Sequence, residues 1–145
     1  MGLPEKMKRM HNIIWVCVDG TDKGLIEGKF YHLYSKEAVE FRDIHVLLER
    51  GSKLMDELKF PEETVRTRSF KKAEPNRPEL IGDGNKVLTI EEMFNQKGLK
   101  GTFAITVVSR HNASWQGDIY SIEKDKLEAF NSDIELINII NNNLF

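Results

Sequence analysis

The stretch that decides the fold is residues 103–140, FAITVVSRHNASWQGDIYSIEKDKLEAFNSDIELINII. Its first six residues are rich in β-branched side chains, which predicts a strand. Polar turn formers follow at 109–114, and a second strand is predicted from 115 to 123. A turn at 124–126 and a short third strand at 127–130 come next.

A short helix is predicted to close this stretch. Ser132 offers an N-cap hydroxyl, and Glu135, three residues later, completes a capping box. Apolar residues then recur at helical spacing at Ile134, Ile137 and Ile140, which predicts one buried side. The C-terminal third is therefore interpreted as a β-β-(β)-α unit.

The N-terminal third shows the same order of elements. Strands are predicted at 13–18 and 26–34, with a short strand at 38–41 before a long helix. That helix is predicted from a continuous apolar stripe formed by Ile44, Leu47, Leu48, Leu54, Met55 and Leu58. Gly51 fills the vacant position on the stripe, where we expect it to let another backbone approach.

The two thirds overlay at a constant offset of 89 residues. The matches are Val18 with Val107, Gly28 with Gly117, Tyr31 with Tyr120 and Phe41 with Phe130. The predicted fold is α+β, with two pseudo-symmetric β-β-(β)-α repeats, 13–59 and 101–145, forming one antiparallel sheet with both helices on one face. The alternative is that two such units share a glycine and an aromatic residue by chance. The opposite face would be either solvated or a binding surface.

The connector between the halves, residues 60–100, differs in kind. Pro61, Pro75 and Pro78 interrupt it, and we interpret it as loop-rich. One short helix is predicted near 90–97, opened by a capping pair at Thr89 and Glu92 and closed at Gly98. We expect residues 1–145 to form a single domain, because this length is typical of one.

Composition limits the classes of protein to consider. The chain has 145 residues, a formal net charge of -2 and one cysteine, Cys17. The charge gives no general attraction to polyanions or to acidic membranes, and one cysteine excludes an internal disulfide. No uncharged apolar run approaches the ~20 residues needed to span a bilayer, so we expect a cytoplasmic protein without membrane contact.

The residues that most often take part in catalysis or metal binding form no recognisable motif in this sequence. The histidines lie far apart, at 11, 32, 45 and 111, and no cysteine or carboxylate stands at metal-ligand spacing from them. No serine or cysteine lies in a nucleophile turn, and no glycine-rich loop precedes a helix as in phosphate-binding sites. The sequence therefore predicts no catalytic residue, no metal and no cofactor, and we expect no enzymatic activity.

Two segments are candidate binding sites, and the first is basic. Arg66, Arg68 and Phe70 lie in a run of cations with an aromatic residue among them, which suits phosphate contacts and base stacking. The alternative, which we favour, is a solvated linker whose cations neutralise the acidic remainder of the chain.

The second candidate is the hairpin with Arg110, Asn112, Trp115 and Gln116. Asn112 suits a left-handed turn conformation, so part of this pattern is turn chemistry. Trp115 either anchors the hairpin on the core, which we favour, or lies exposed beside Arg110 and Gln116 as a contact platform.

The hairpin resembles one in a family of small uncharacterised bacterial proteins. That family has an R-Q-N-x-[ST]-W-Q-G turn followed by a strand, a phenylalanine and a terminal helix. The matching residues are Arg110, Asn112, Ser114, Trp115, Gln116 and Gly117, and His111 replaces the glutamine. Phe41, Phe60-Pro61 and Arg68-Ser69-Phe70 are similar too. The family has no assigned activity, so the resemblance implies only that the hairpin is a family feature.

Three functional hypotheses follow. The first is a non-enzymatic binding or adaptor module that acts through protein contacts, including self-association, because an antiparallel sheet offers edges for strand addition. The alternative is a single-stranded nucleic-acid binding protein of PUR- or Whirly-like architecture, in which a sheet face stacks bases. The third, a small enzyme or ligand-binding protein, requires a concave pocket.

Overall fold

The computed structural model describes residues 3–10, 12–21, 24–58, 63–64, 87–111 and 114–144. The strands are β1 (Ile14–Gly20), β2 (Glu27–Tyr31), β3 (Val39–Phe41), β4 (Glu63–Thr64), β5 (Gly101–His111), β6 (Ser114–Ser121) and β7 (Lys126–Phe130). The helices are α1 (Glu5–Lys8), α2 (Ile44–Leu58), α3 (Ile90–Phe94) and α4 (Asp133–Leu144).

The seven strands found among the described residues belong to one sheet. Six of them follow the order β3-β2-β1-β5-β6-β7, and every neighbouring pair on this path is antiparallel. The two-residue β4 pairs in parallel with the end of β5. The prediction of an α+β protein built on an antiparallel sheet is confirmed.

One face of the sheet, here called the helix face, carries the larger core. It presents Ile14, Val16, Phe103 and Ile105 from the two central strands. The stripe of α2 packs on it, and so do Leu136 and Ile140 of α4. Both long helices therefore lie on the same face of the sheet.

The opposite face, here called the second face, is also covered over its centre. Trp15, Cys17, Ala104 and Tyr120 form a second apolar cluster with Leu3, Met7 and Met93. The Nε1–H of Trp15 donates to the carbonyl of Gln96 at 2.8 Å, just after α3. The expectation that this face is either solvated or a binding surface is therefore wrong at β1, because α1 and α3 supply apolar side chains that cover it.

The prediction that Ile134 lies on the buried side of α4 is wrong, because Ile134 is 71% exposed and the buried residues of this helix are Leu136 and Ile140. The other two predicted helices, α2 and α3, follow their sequence signals closely. α2 spans Ile44–Leu58, and its buried positions include Gly51. The capping box of α3 is present, since Thr89 Oγ1 accepts from the Glu92 N–H at 3.1 Å and the Glu92 carboxylate accepts from the Thr89 N–H at 3.0 Å. This helix ends at Phe94, short of the predicted 97, because the chain turns there to bring Gln96 to Trp15.

Candidate functional site

Trp115, predicted either as an anchor or as an exposed platform, is an anchor. Only 1% of its surface is exposed, and its Nε1–H donates to Ser52 Oγ of α2 at 2.9 Å. A Cβ atom at Gly51 would lie 2.5 Å from Cη2 of this indole. Gly51 therefore makes room for a side chain from the hairpin, and not for another backbone as expected. The exposed-platform hypothesis is wrong.

Arg110 also binds to α2 through its side chain. Its side chain is 3% exposed, and its Nη2 forms an ion pair with Asp56 Oδ1 at 2.9 Å. Its Nη1 donates to the carbonyl of Ser52 at 3.2 Å. Burying a guanidinium is costly unless it is paired and hydrogen-bonded, and α2 supplies both partners. We conclude that Arg110 fastens the hairpin to α2.

The side chain of Gln116 forms hydrogen bonds with backbone and side-chain groups of its own hairpin. Its Oε1 accepts from Ser109 Oγ at 2.8 Å and from the His111 N–H at 2.9 Å. Its Nε2 donates to the carbonyl of Ser114 at 2.9 Å. This local network explains why β5 runs to His111 where a turn at 109–114 was predicted: the side chain of Gln116 stabilises the end of the extended hairpin.

The hairpin also holds the first turn of α4. The Trp115 N–H donates to Asp133 Oδ1 at 2.8 Å, and the Asp133 N–H donates to Ser114 Oγ at 3.0 Å. Ser132 Oγ accepts from the Glu135 N–H at 3.1 Å, as the predicted capping box requires. The Glu135 carboxylate accepts from Asn131 instead of from Ser132, at 3.2 Å. The hairpin thus joins both long helices.

We call Arg110, Ser114, Trp115 and Gln116 the hairpin clasp. Each of these four side chains forms a hydrogen bond with another residue of the chain, so the motif stabilises the fold. Of the other predicted binding residues, Arg66, Arg68, Phe70 and Asn112 lie outside the described residues. Of the predicted binding residues, the structure therefore brings together Arg110, Trp115 and Gln116, and these three stabilise the packing of the hairpin.

Sequence reasoning gave less weight to the two edges of the sheet. Within the described ranges, β3 pairs only with β2, and β7 pairs only with β6. The β7 edge is the longer, with five residues against three. Leu127 of β7 is 40% exposed, and its neighbours Lys126 and Glu128 form an ion pair at 3.8 Å. The alternation of charged and apolar residues along this strand was the available signal.

The turn that leads into β7 is held from the sheet. The hydroxyl of Tyr120 donates to the carboxylate of Asp125, and this hydrogen bond, with burial and the charge of Asp125, raises the pKa of Tyr120 to about 12. Asp125 itself has a φ of 50°, a conformation that aspartate tolerates better than most residues. The start of β7 is therefore fixed in position relative to β6.

Cys17 is an unreactive thiol in the centre of the sheet. Burial, together with the nearby charge of Asp19, raises its pKa to about 11. The thiolate is the nucleophilic form, so this environment suppresses its chemistry. In the part of the chain that the structure describes, no three histidine, cysteine or carboxylate side chains are grouped so that they could hold a metal ion. None of the helices there is long and apolar enough to cross a membrane.

These features define an α+β protein with a clasped hairpin and two strand edges. No protein-family model matches the chain, and comparison with curated proteins and with solved structures finds no similar one. The resemblance of the hairpin to a bacterial family therefore stays a prediction, and functional inference rests on the geometry of this chain.

Proposed function

We propose that this chain is a non-enzymatic protein-interaction module that binds its partner by strand addition at β7. The supporting observation is the outer edge of β7, which has no strand partner among the described residues. Half of the backbone N–H and C=O groups of an edge strand point outward and can pair with another extended chain. The Tyr120–Asp125 hydrogen bond preorganises this edge, which lowers the entropy cost of binding.

The partner that β7 fits best is a second copy of itself. In an antiparallel pair centred on Leu127, Lys126 of each copy would lie opposite Glu128 of the other. Leu127 would face Leu127 on the second face of the sheet. Opposite charges and apolar pairs placed across strands each contribute roughly 0.2–1 kcal/mol. This register is self-complementary, as a two-fold dimer interface requires.

We also propose that the two halves of the chain are copies of one unit. Val18 pairs with Gly28 and Gly28 with Phe41, while Val107 pairs with Gly117 and Gly117 with Phe130. The registers shift just after Val18 and just after Val107. The halves meet at antiparallel β1 and β5, the first strand of each half, and the third strands, β3 and β7, lie at the two outer ends of this strand order.

Charge reversal tests the dimer directly. Light scattering after size exclusion, over a range of protein concentrations, should show a concentration-dependent dimer of the wild-type chain. Glu128→Lys should weaken it, because Lys126 would then face a lysine, and the double variant Lys126→Glu with Glu128→Lys should restore it. The exposed ion pair contributes about 0–1 kcal/mol to folding, so the monomer should tolerate both changes. A monomer at every concentration would refute the self-association.

The nucleic-acid alternative needs an open sheet face, and α1 and α3 cover the second face at Trp15 and Cys17. Its other support, the basic segment, lies outside the described residues. We therefore retain the protein-interaction proposal. A lone buried cysteine is compatible with a reducing compartment such as the cytoplasm, where we propose that the protein acts.

A further inference from the structure

A cavity of about 390 Å³ opens on the helix face at the edge of the sheet opposite β7. It lies where β2 and β3 separate from the C-terminal half of α2. Apolar side chains from both sides line it: Phe30, Val39, Leu54 and Leu58. At ~30 Å³ for each water in the liquid, this space corresponds to about a dozen waters, enough for a small organic ligand.

His32 lines this cavity and is the candidate hydrogen-bond donor to a ligand. It is 9% exposed, and its Nδ1 accepts from the Tyr34 N–H at 3.2 Å. In the neutral ring the proton is then on Nε2, for which no described residue serves as acceptor. Burial lowers the pKa of His32, with Glu57 acting in the opposite direction, so the ring is neutral at neutral pH. A bound acceptor would complete its hydrogen bonding.

Two cations stand at the mouth of the cavity. Arg50 and Lys53 project from α2 on the side that faces β2 and β3, and both are exposed. Within the described ranges neither is in an ion pair. Glu57, one turn beyond Lys53, also lines the cavity, so these three side chains carry a net charge of +1. This balance favours a single negative charge on a ligand and disfavours a polyanion.

A neighbouring depression of about 540 Å³ has the opposite character. It shares Arg50 and is also lined by Arg42, but three carboxylates outnumber these two cations. The carboxylates are those of Asp19, Glu27 and Glu40, so the charged side chains of the depression carry a net charge of -1. These charges repel an anion, and few apolar side chains line the depression. The cavity with His32 is therefore the better anion site.

We propose that the cavity with His32 binds a small organic monoanion, with its apolar body against Phe30 and Leu54 and its carboxylate between Arg50 and Lys53. The Nε2–H of His32 donates to the same ligand. Charge-assisted hydrogen bonds of this kind are about twice as strong as neutral ones, and the apolar floor adds affinity through burial. The site goes beyond the proposed strand addition and is independent of it, since β7 lies at the other edge.

Nuclear magnetic resonance titration of the ¹⁵N-labelled protein tests the proposal. The probes are phenylacetate and hexanoate, which combine an apolar body with a carboxylate. Both should shift the resonances of His32, Tyr34 and Lys53 with a saturable dependence on concentration. Benzyl alcohol lacks the charge and inorganic phosphate lacks the apolar body, so each should bind at least about tenfold more weakly.

Variants separate this site from nonspecific anion binding. Arg50→Gln combined with Lys53→Gln removes two exposed cations, so the fold should persist while phenylacetate affinity falls about tenfold or more. Arg42→Gln is the matched control, because Arg42 lines only the neighbouring depression, and it should leave affinity unchanged. The proposal is overturned if neither carboxylate binds at millimolar concentration, if phosphate or benzyl alcohol binds equally well, or if the double variant binds as the wild type does.

Discussion

In the C-terminal half of the chain, the β5–β6 hairpin is fastened to both long helices, whereas in the N-terminal half β2 and β3 separate from α2 and leave a cavity of about 390 Å³. Both halves place a strand, a second strand, a short edge strand and a helix in the same order. They differ in length, since β5 has 11 residues and β1 has 7. The longer hairpin reaches across to the helix of the other half.

This difference shows how similar elements acquire different roles. The extended end of the β5–β6 hairpin places Arg110 of β5 and Trp115 of β6 beside α2. There Ser52 and Asp56 hydrogen-bond or pair with them. The strand β2, with five residues against eight in β6, borders a cavity beside α2 that is lined in part by His32. In one half the hairpin is fastened to the helices, and in the other the open space is the proposed ligand site.

The largest effect is expected from removing the anchor of the clasp. Trp115→Ala should lower the free energy of unfolding by about 4 kcal/mol, because it leaves a large cavity beside Gly51. Urea denaturation followed by far-ultraviolet circular dichroism measures this. The control Ser52→Ala removes only the acceptor of the indole N–H and should cost about 1 kcal/mol. A loss below 1 kcal/mol for Trp115→Ala would mean that the hairpin is not clasped.

The next effect tests the equivalence of the halves. A Cβ at Gly28 would lie 2.0 Å from the Cys17 carbonyl oxygen, and one at Gly117 would lie 2.0 Å from that of Thr106. Backbone atoms cannot move aside as side chains can, so each glycine-to-alanine change should cost about 3 kcal/mol. The same denaturation experiment compares them. Strongly unequal losses would contradict the proposal that the two halves share one design.

The smallest effect appears only in alkali. The ordinary pKa of 9.0 for Cys17 is raised to about 11 in the folded chain, so between these values the unfolded chain loses its proton first. Stability should therefore fall as pH rises from 9 to 11 and should not depend on Cys17 below pH 9. Cys17→Ala should flatten this part of the profile, while the loss due to Tyr120 should persist above pH 10. If the variant shows the same dependence of stability on pH between 9 and 11, folding does not raise the pKa of Cys17.

Periodic local patterns made much of the fold predictable. The stripe on α2 predicted a helix over 44–58, and the observed helix spans Ile44–Leu58. The prediction succeeded because apolar residues at this spacing fall on one side of a helix, which can then be buried. The capping box at Thr89 formed for an equally local reason. The end of β5 was predicted incorrectly, because the stabilising side chain, Gln116, lies on the next strand.

The candidate sites were less predictable, because exposure is a property of packing. The sequence marked Trp115 as important, but only its contact with Gly51 shows that it is an anchor. It gave no signal that His32, Arg50 and Lys53 lie around one cavity, since His32 belongs to the segment after β2 and the two cations belong to α2. Residues distant along the chain meet only when the elements are packed.

The amino-acid sequence by itself determined the kinds and order of the elements, since hydrophobic spacing and caps act within a few residues. Tertiary structure alone decided that the second face is covered at β1 and that the hairpin closes on α2. It also decided where, among the described residues, a strand edge is unpaired and a cavity is open. These outcomes depend on contacts between residues that are distant along the chain. Such contacts stabilise the protein only after the sheet has brought the segments together.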